Sequence, residues 1–108
     1  MDLSNIGVTE IMPGSFSRNG KISHLKLREN DIELLDETIF SELLNLSWID
    51  LGRNKLKNLP SGIFAKNTKL RIIDLDRNGL QKICKDVFKN QDTVVNYLNL
   101  FRLATKKS

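Results

Sequence analysis

At 108 residues, 40% hydrophobic and 28% charged, the chain has the length of one domain and enough apolar content to bury a core, which excludes a disordered polymer. No apolar run approaches the roughly 20 residues that a membrane helix needs. The formal charge of +4 comes from 17 basic residues interleaved with 13 acidic ones, which favours acidic surfaces over a nucleic-acid footprint.

Taken in order, the chain divides at one fixed spacing. Residues 1–21 form an incomplete first unit, with Met1 and Leu3 at strand positions, Val8, Ile11 and Phe16 at apolar positions, and a Pro13-Gly14 turn. The opening MDLSNIGVTE has neither a basic start nor an apolar stretch, so no signal peptide is expected within this chain. Residues 22–45, 46–69 and 70–93 are full units, and Asp36 is expected to cap a short helix running through Leu44. Asn19, Asn67 and Gln91 replace the apolar Leu43 in the other units, so turns or irregular structure are expected there instead. Residues 94–108 form a partial unit that slips by one residue, aligning Val95, Leu98 and Leu100, before a basic ATKKS tail.

The clearest unit runs from Leu46 to Lys69: Leu46-x-x-Ile49-x-Leu51-x-x-Asn54-x-Leu56, then Leu59-Pro60 and Phe64. Shifting the chain by 24 residues superimposes Asn54 on Asn30 and Asn78, and Phe64 on Phe16, Phe40 and Phe88. It also carries Leu51 onto Leu3, Leu27 and Leu75, and Ile49 onto Leu25 and Ile73. The L-x-L step has the alternation of a half-buried strand, so these pairs point inward and their neighbours share one outer face. Each strand is too short to stand alone and must pair with its copy in the next unit. Asn30, Asn54 and Asn78 fall where the chain leaves the sheet, where one amide supplies both donor and acceptor to turn backbone. Phe16, Phe40, Phe64 and Phe88 are expected to stack as a spine on the convex side.

The fold expected from this pattern is an α/β solenoid, with a curved parallel sheet on the concave face and short helices or turns on the convex one. The units resemble the 24-residue class of leucine-rich repeats, in which LxxLxLxxNxLxxLPxxxFxxL recurs, over about residues 1–103. They are similar to the extracellular arrays of Toll-like receptors, Slit-type guidance proteins and small leucine-rich matrix proteins. That resemblance implies a non-enzymatic protein-binding module on the cell surface or outside the cell, as part of a longer protein. Such proteins commonly carry cysteine-bearing caps. This chain has one cysteine, Cys84, which is read as an incidental reduced thiol, with pairing to a partner as the alternative. A fragment is therefore expected. The alternatives are an assembly segment that pairs through uncapped ends and a cytoplasmic scaffold.

Binding is expected on the concave rows. The first reads His24, Trp48, Ile72 and Tyr97; the second Lys26, Asp50, Asp74 and Asn99; the third Arg28, Gly52, Asp76 and Phe101. Glu29, Arg53, Arg77 and Arg102 lie beyond. Trp, Ile and Tyr in one solvent-facing row are not needed by the core, and they suit a protein or peptide contact with charges setting its orientation. Asp50, Asp74 and Asp76 with Asn99 offer ligands for a hard cation, or are neutralised by Lys26, Arg28, Arg53 and Arg77; no metal or cofactor is expected, because no ligand loop accompanies them. His24, the only histidine, has no paired nucleophile, and an open sheet gives Asp74 and Asp76 no deep pocket, so no enzyme is expected. Asn45-Leu46-Ser47 is the only glycosylation sequon, and Lys55, Lys57, Lys66, Lys69 and Arg71 form a basic cluster read as solvated surface, with a patch for an anionic glycan or acidic protein as the alternative.

Overall fold

The structure, a computed structural model, describes residues 1–80 and residue 87. Three strands, β1 (His24–Lys26), β2 (Trp48–Asp50) and β3 (Ile72–Asp74), form one parallel sheet in the order β1-β2-β3. His24 pairs with Trp48 and Trp48 with Ile72, so the pairing register equals the sequence repeat at every step. The ladder continues past the strands, with Leu27 N donating to Asp50 O and Leu51 N to Asp74 O, both at 2.8 Å. On the other side of β1, Asp2 bridges Lys26 in the same parallel sense. No helix among the described residues is long and apolar enough to cross a membrane.

The expected inward residues are buried: Leu25, Leu27, Ile49, Leu51, Ile73 and Leu75. Complete burial of such a side chain contributes roughly 1.5–3 kcal/mol. Behind the sheet Phe16, Phe40 and Phe64 stack, with ring centroids 6.2 and 6.1 Å apart and the Phe40–Phe64 pair only 8° from parallel. Ile39, Ile63 and Val87 mark a further inward position at the same spacing. Phe88 lies outside the described residues, as do Cys84 and the partial unit from Val94.

The Asn ladder closes the exits from the sheet. Asn54 Nδ2 donates to Leu51 O and Gly52 O in its own repeat and reaches back to Leu27 O at 2.9 Å, while its Oδ1 accepts from Ile32 N. Asn78 and Asn30 make the same set one repeat on and one repeat back, to Leu51 O and Leu3 O. Each amide thus satisfies backbone of two repeats at once. Ile6, at the equivalent position in the first unit, is 62% exposed, and its N–H ends the ladder by donating to Asn30 Oδ1.

The convex side corrects one expectation. Residues 36–44 form turns, not a short helix, and so do the segments carrying Asn19 and Asn67. All three run through the same series of i+3 turns: Ile39 N to Asp36 O, Ser41 N to Thr38 O, Leu43 N to Phe40 O, repeated from Met12 and from Pro60. The physical reason lies in the carbonyls. Phe40 O and Leu43 O accept from Asn67 Nδ2 of the next repeat at 2.8 and 3.0 Å, so a helical bond is not what orders this side. Asn67, read as a polar stand-in for Leu43, is fully buried and forms a second inter-repeat clasp. Asp36 still acts at the start of its segment: its Oδ1 accepts from Thr38 Oγ1 at 2.6 Å and from Thr38 N at 2.8 Å, and those bonds, the hydroxyl's first, hold its carboxyl below the usual carboxylate range.

Candidate functional site

Strand alternation carries His24, Lys26, Trp48, Asp50, Ile72 and Asp74 to the concave face, and the residues leaving the strands add Arg28, Gly52 and Asp76. Tyr97 and Asn99 lie outside the described residues. The remaining expected residues fall into two groups with different physics.

The first group is aromatic and cationic. Trp48 is half-buried where full solvent exposure was expected. The His24 ring meets it edge-on, 5.3 Å between centroids at 72°, and Lys26 Nζ lies 5.8 Å above its ring. A cation at that distance is held by the ring quadrupole, and the long lysine stem covers apolar surface. The indole Nε1 is buried and has no hydrogen-bond acceptor among the described residues. Beside Trp48, Ile72 stays 38% exposed. Ser23 Oγ lies 2.9 Å from His24 Nδ1 and fixes the ring on the strand edge.

The second group is an ion cluster. Arg28 reaches from the end of β1 across β2 to the third repeat. Its Nη1 lies 3.2 Å from Asp50 Oδ1, 3.7 Å from Asp74 Oδ2 and 2.7 Å from Asp76 Oδ1, and its Nη2 is 2.9 Å from Asp76 Oδ2. Asp76 therefore holds the bidentate position. The guanidinium passes over Gly52, where a Cβ would collide with Arg28 Nη1 and Asp76 Oδ1. Gly52 was placed in a row by the repeat, but its role was missed. Its signal was a glycine beside a strand, which marks the close approach of another group.

Of the four cations expected around these carboxylates, Arg28 alone makes the ion pairs. Lys26 lies on Trp48, and Arg53 acts on Asp76 only at longer range. Asp50 is buried where an exposed contact residue was expected. Its Oδ1 accepts both from Arg28 and from Gly52 N at 2.9 Å. Asp74 Oδ1 repeats the second of these contacts with Asp76 N, and Asp2 Oδ1 with Ser4 N, so the aspartates of this row are turn formers as well as charges. Glu29, Arg53 and Arg77, with Asn5, each take a left-handed backbone (φ 53 to 60°) between strand and Asn ladder, a conformation no glycine announced.

Three carboxylates around one guanidinium leave an excess of negative charge. Hydrogen bonding to Arg28 holds the Asp76 carboxyl down at about 2. Burial first, then the bond to Asp76 and repulsion from its acidic neighbours, pushes Asp74 up to about 6. The Arg28 guanidinium is in turn raised further by its bond to Asp76. The carboxylate oxygens lie within 4.8 Å of one another, a spacing that a hard cation can span. Arg28 already stands between them as counter-ion.

A family model described as leucine rich repeat matches residues 1–56 and again 22–80. Among solved structures, the leucine-rich repeat domain of APL1B superposes with a TM-score of 0.82 at 28% identity, over 90% of this chain and 31% of that one. The TLR13–ssRNA13 complex superposes with a TM-score of 0.64 at 22% identity, over 89% of this chain and 18% of that one. The chain thus spans less than a third of the length of either relative. No curated protein matches it in sequence.

Proposed function

The chain belongs to the leucine-rich-repeat family, and from that premise we propose that it is a non-enzymatic recognition segment of a larger cell-surface or secreted receptor-type protein, binding a protein ligand on its concave sheet. The observation that carries this reading is the Trp48–Ile72 pair. A half-buried indole whose Nε1–H has no acceptor among the described residues sits beside an exposed isoleucine, on strands whose other outward residues are charged or polar. Neither side chain is needed by the core, which lies on the opposite face of the same strands. Aromatic anchors rimmed by charge are where binding energy concentrates. Lys26 puts a cation on the β1 side of the face, while the three carboxylates around Arg28 leave excess negative charge towards β3, which would fix the direction of a bound protein.

Single-stranded RNA accompanies one structural relative, TLR13. A phosphate chain laid along this sheet would meet the excess carboxylates around Arg28, so a protein partner suits this face better. Catalysis has no support in the geometry, because the carboxylates line an open sheet and the polarised pair is engaged with Arg28.

The test is Trp48→Ala and Ile72→Ala, set against the exposed Leu34→Ala off the concave face. Proteins retained from extracellular fluid by the immobilised wild-type chain provide the probe. Loss of retention in the first two variants, with folding unchanged, supports the site; retention equal to wild type removes it. A second reading, self-association at the edge of the core, is favoured by the partly exposed Leu3, Val8 and Ile11, which line a cleft of about 340 Å³ there. A sedimentation coefficient that does not change with concentration would exclude it.

A further inference from the structure

We propose that Asn45 is an N-glycosylation site, an inference that rests on the extracellular part of the reading above. Asn45-Leu46-Ser47 satisfies the acceptor triplet, with no proline at its centre. Many such triplets are closed off by folding; this one is not. Asn45 is exposed in the turn that leads into β2, while the adjacent Leu46 is fully buried and directs the chain so that its neighbour faces out. The equivalent positions one repeat back and one repeat on are Lys21 and Lys69, both exposed, so the fold presents this position to solvent in each described repeat.

The hydrogen bonding makes the case specific. Asn45 Nδ2 donates once, to Gly20 O at 2.9 Å, and its Oδ1 accepts from Lys69 Nζ at 2.8 Å. A primary amide carries two hydrogens, so one remains without an acceptor among the described residues. Glycosylation consumes one hydrogen only. Nδ2 attacks the anomeric carbon of a lipid-pyrophosphate-linked oligosaccharide, the carbon–nitrogen bond forms, and the carbon–oxygen bond to phosphate breaks. The lipid pyrophosphate leaves, and one amide proton is lost to base. The product retains one N–H and the carbonyl oxygen, so both contacts of Asn45 can persist after modification. The amides of Asn30, Asn54, Asn67 and Asn78 each donate to at least two carbonyls and have no hydrogen to lose. A glycan on Asn45 would stand at the edge of the sheet where the strands begin, flanking Trp48 and leaving the charged rows open.

The experiment expresses the full chain behind a cleavable leader in cultured eukaryotic cells and measures the intact mass of both the secreted and the cell-retained product. Leader removal marks passage into the secretory pathway. The expected result is one added N-glycan, released by peptide N-glycosidase with conversion of Asn45 to Asp, lost in Ser47→Ala and kept in Ser47→Thr. Leader-free chain at its unmodified mass in both fractions would overturn the site. Failure here with concave binding intact would leave the recognition reading standing, whereas a glycosylated chain with no concave binding would remove that reading and leave this one.

Discussion

The Asn ladder and the Arg28 cluster both tie three repeats together with polar side chains, and they do so in opposite ways. In the ladder each of the three full repeats supplies an Asn, each Asn makes the same bonds, and all groups are neutral. In the cluster one repeat gives the cation, another an aspartate and a glycine, and the third two aspartates; Asp50 and Asp74 share a position, whereas Arg28, Gly52 and Asp76 differ at theirs. The ladder is scaffold. The cluster occurs once among the described repeats, as does the Trp48–Ile72 pair beside it. Periodic polar groups hold the solenoid, and aperiodic ones give its concave sheet local character.

Substitutions should separate the two. Asn54→Ala is expected to have the largest effect, because it strips partners from the carbonyls of Leu27, Leu51 and Gly52 and from Ile32 N, in a buried position. An unsatisfied buried group costs roughly 1–3 kcal/mol, so a loss of about 3 kcal/mol is expected in urea unfolding, with a smaller loss for the half-buried Asn78→Ala. Gly52→Ala is expected to cost about 2 kcal/mol, since its Cβ displaces Arg28 from Asp76 and leaves three carboxylates facing one another. NMR titration of that variant should show the Asp76 carboxyl rising from about 2 towards the ordinary carboxylate range.

The smallest effect sharpens the contrast, because only the cluster titrates. Asp74 stands at about 6 in the folded chain against 3.8 for an ordinary aspartate, so the folded state holds a proton that the unfolded state has released between those values. Its contribution to stability is present below about 4 and is lost as pH rises through about 6. Asp76 behaves oppositely. Its stabilisation is present above about 4 and is lost as pH falls through about 2. Asp74→Asn should therefore flatten the decline in stability between about pH 4 and 6, and at neutral pH stabilise the chain by on the order of 1 kcal/mol, screening reducing the full value. Denaturation midpoints across that range are the check. A slope that persists in Asp74→Asn would assign the titration elsewhere.

What repeats was legible in the sequence. Leu25, Ile49 and Ile73, the three asparagines and the stacked phenylalanines recur at one spacing, and burial follows from alternation alone. The convex turns were half legible. Asn67 reads as a polar residue in an apolar slot, and only the neighbouring Phe40 and Leu43 carbonyls reveal that it is a buried clasp. The ion cluster was legible as a set of neighbours but not as an arrangement. That Arg28 rather than Lys26, Arg53 or Arg77 enters it depends on side-chain reach and on the missing Cβ of Gly52. Trp48 was placed on the correct face, and its partial burial comes from His24 and Lys26 folding over it, which no spacing encodes. The left-handed residues Glu29, Arg53 and Arg77 carried no glycine or asparagine to mark them.

Under the proposed function the Trp48 patch serves recognition while the Asn ladder serves stability. Binding and unfolding of Trp48→Ala, measured on one preparation, test it most directly. The predicted result is a loss of about 2 kcal/mol in binding, on the order of thirtyfold in Kd, with an unfolding midpoint close to wild type. Unchanged binding with a lowered midpoint would contradict it, and would make Trp48 part of the scaffold.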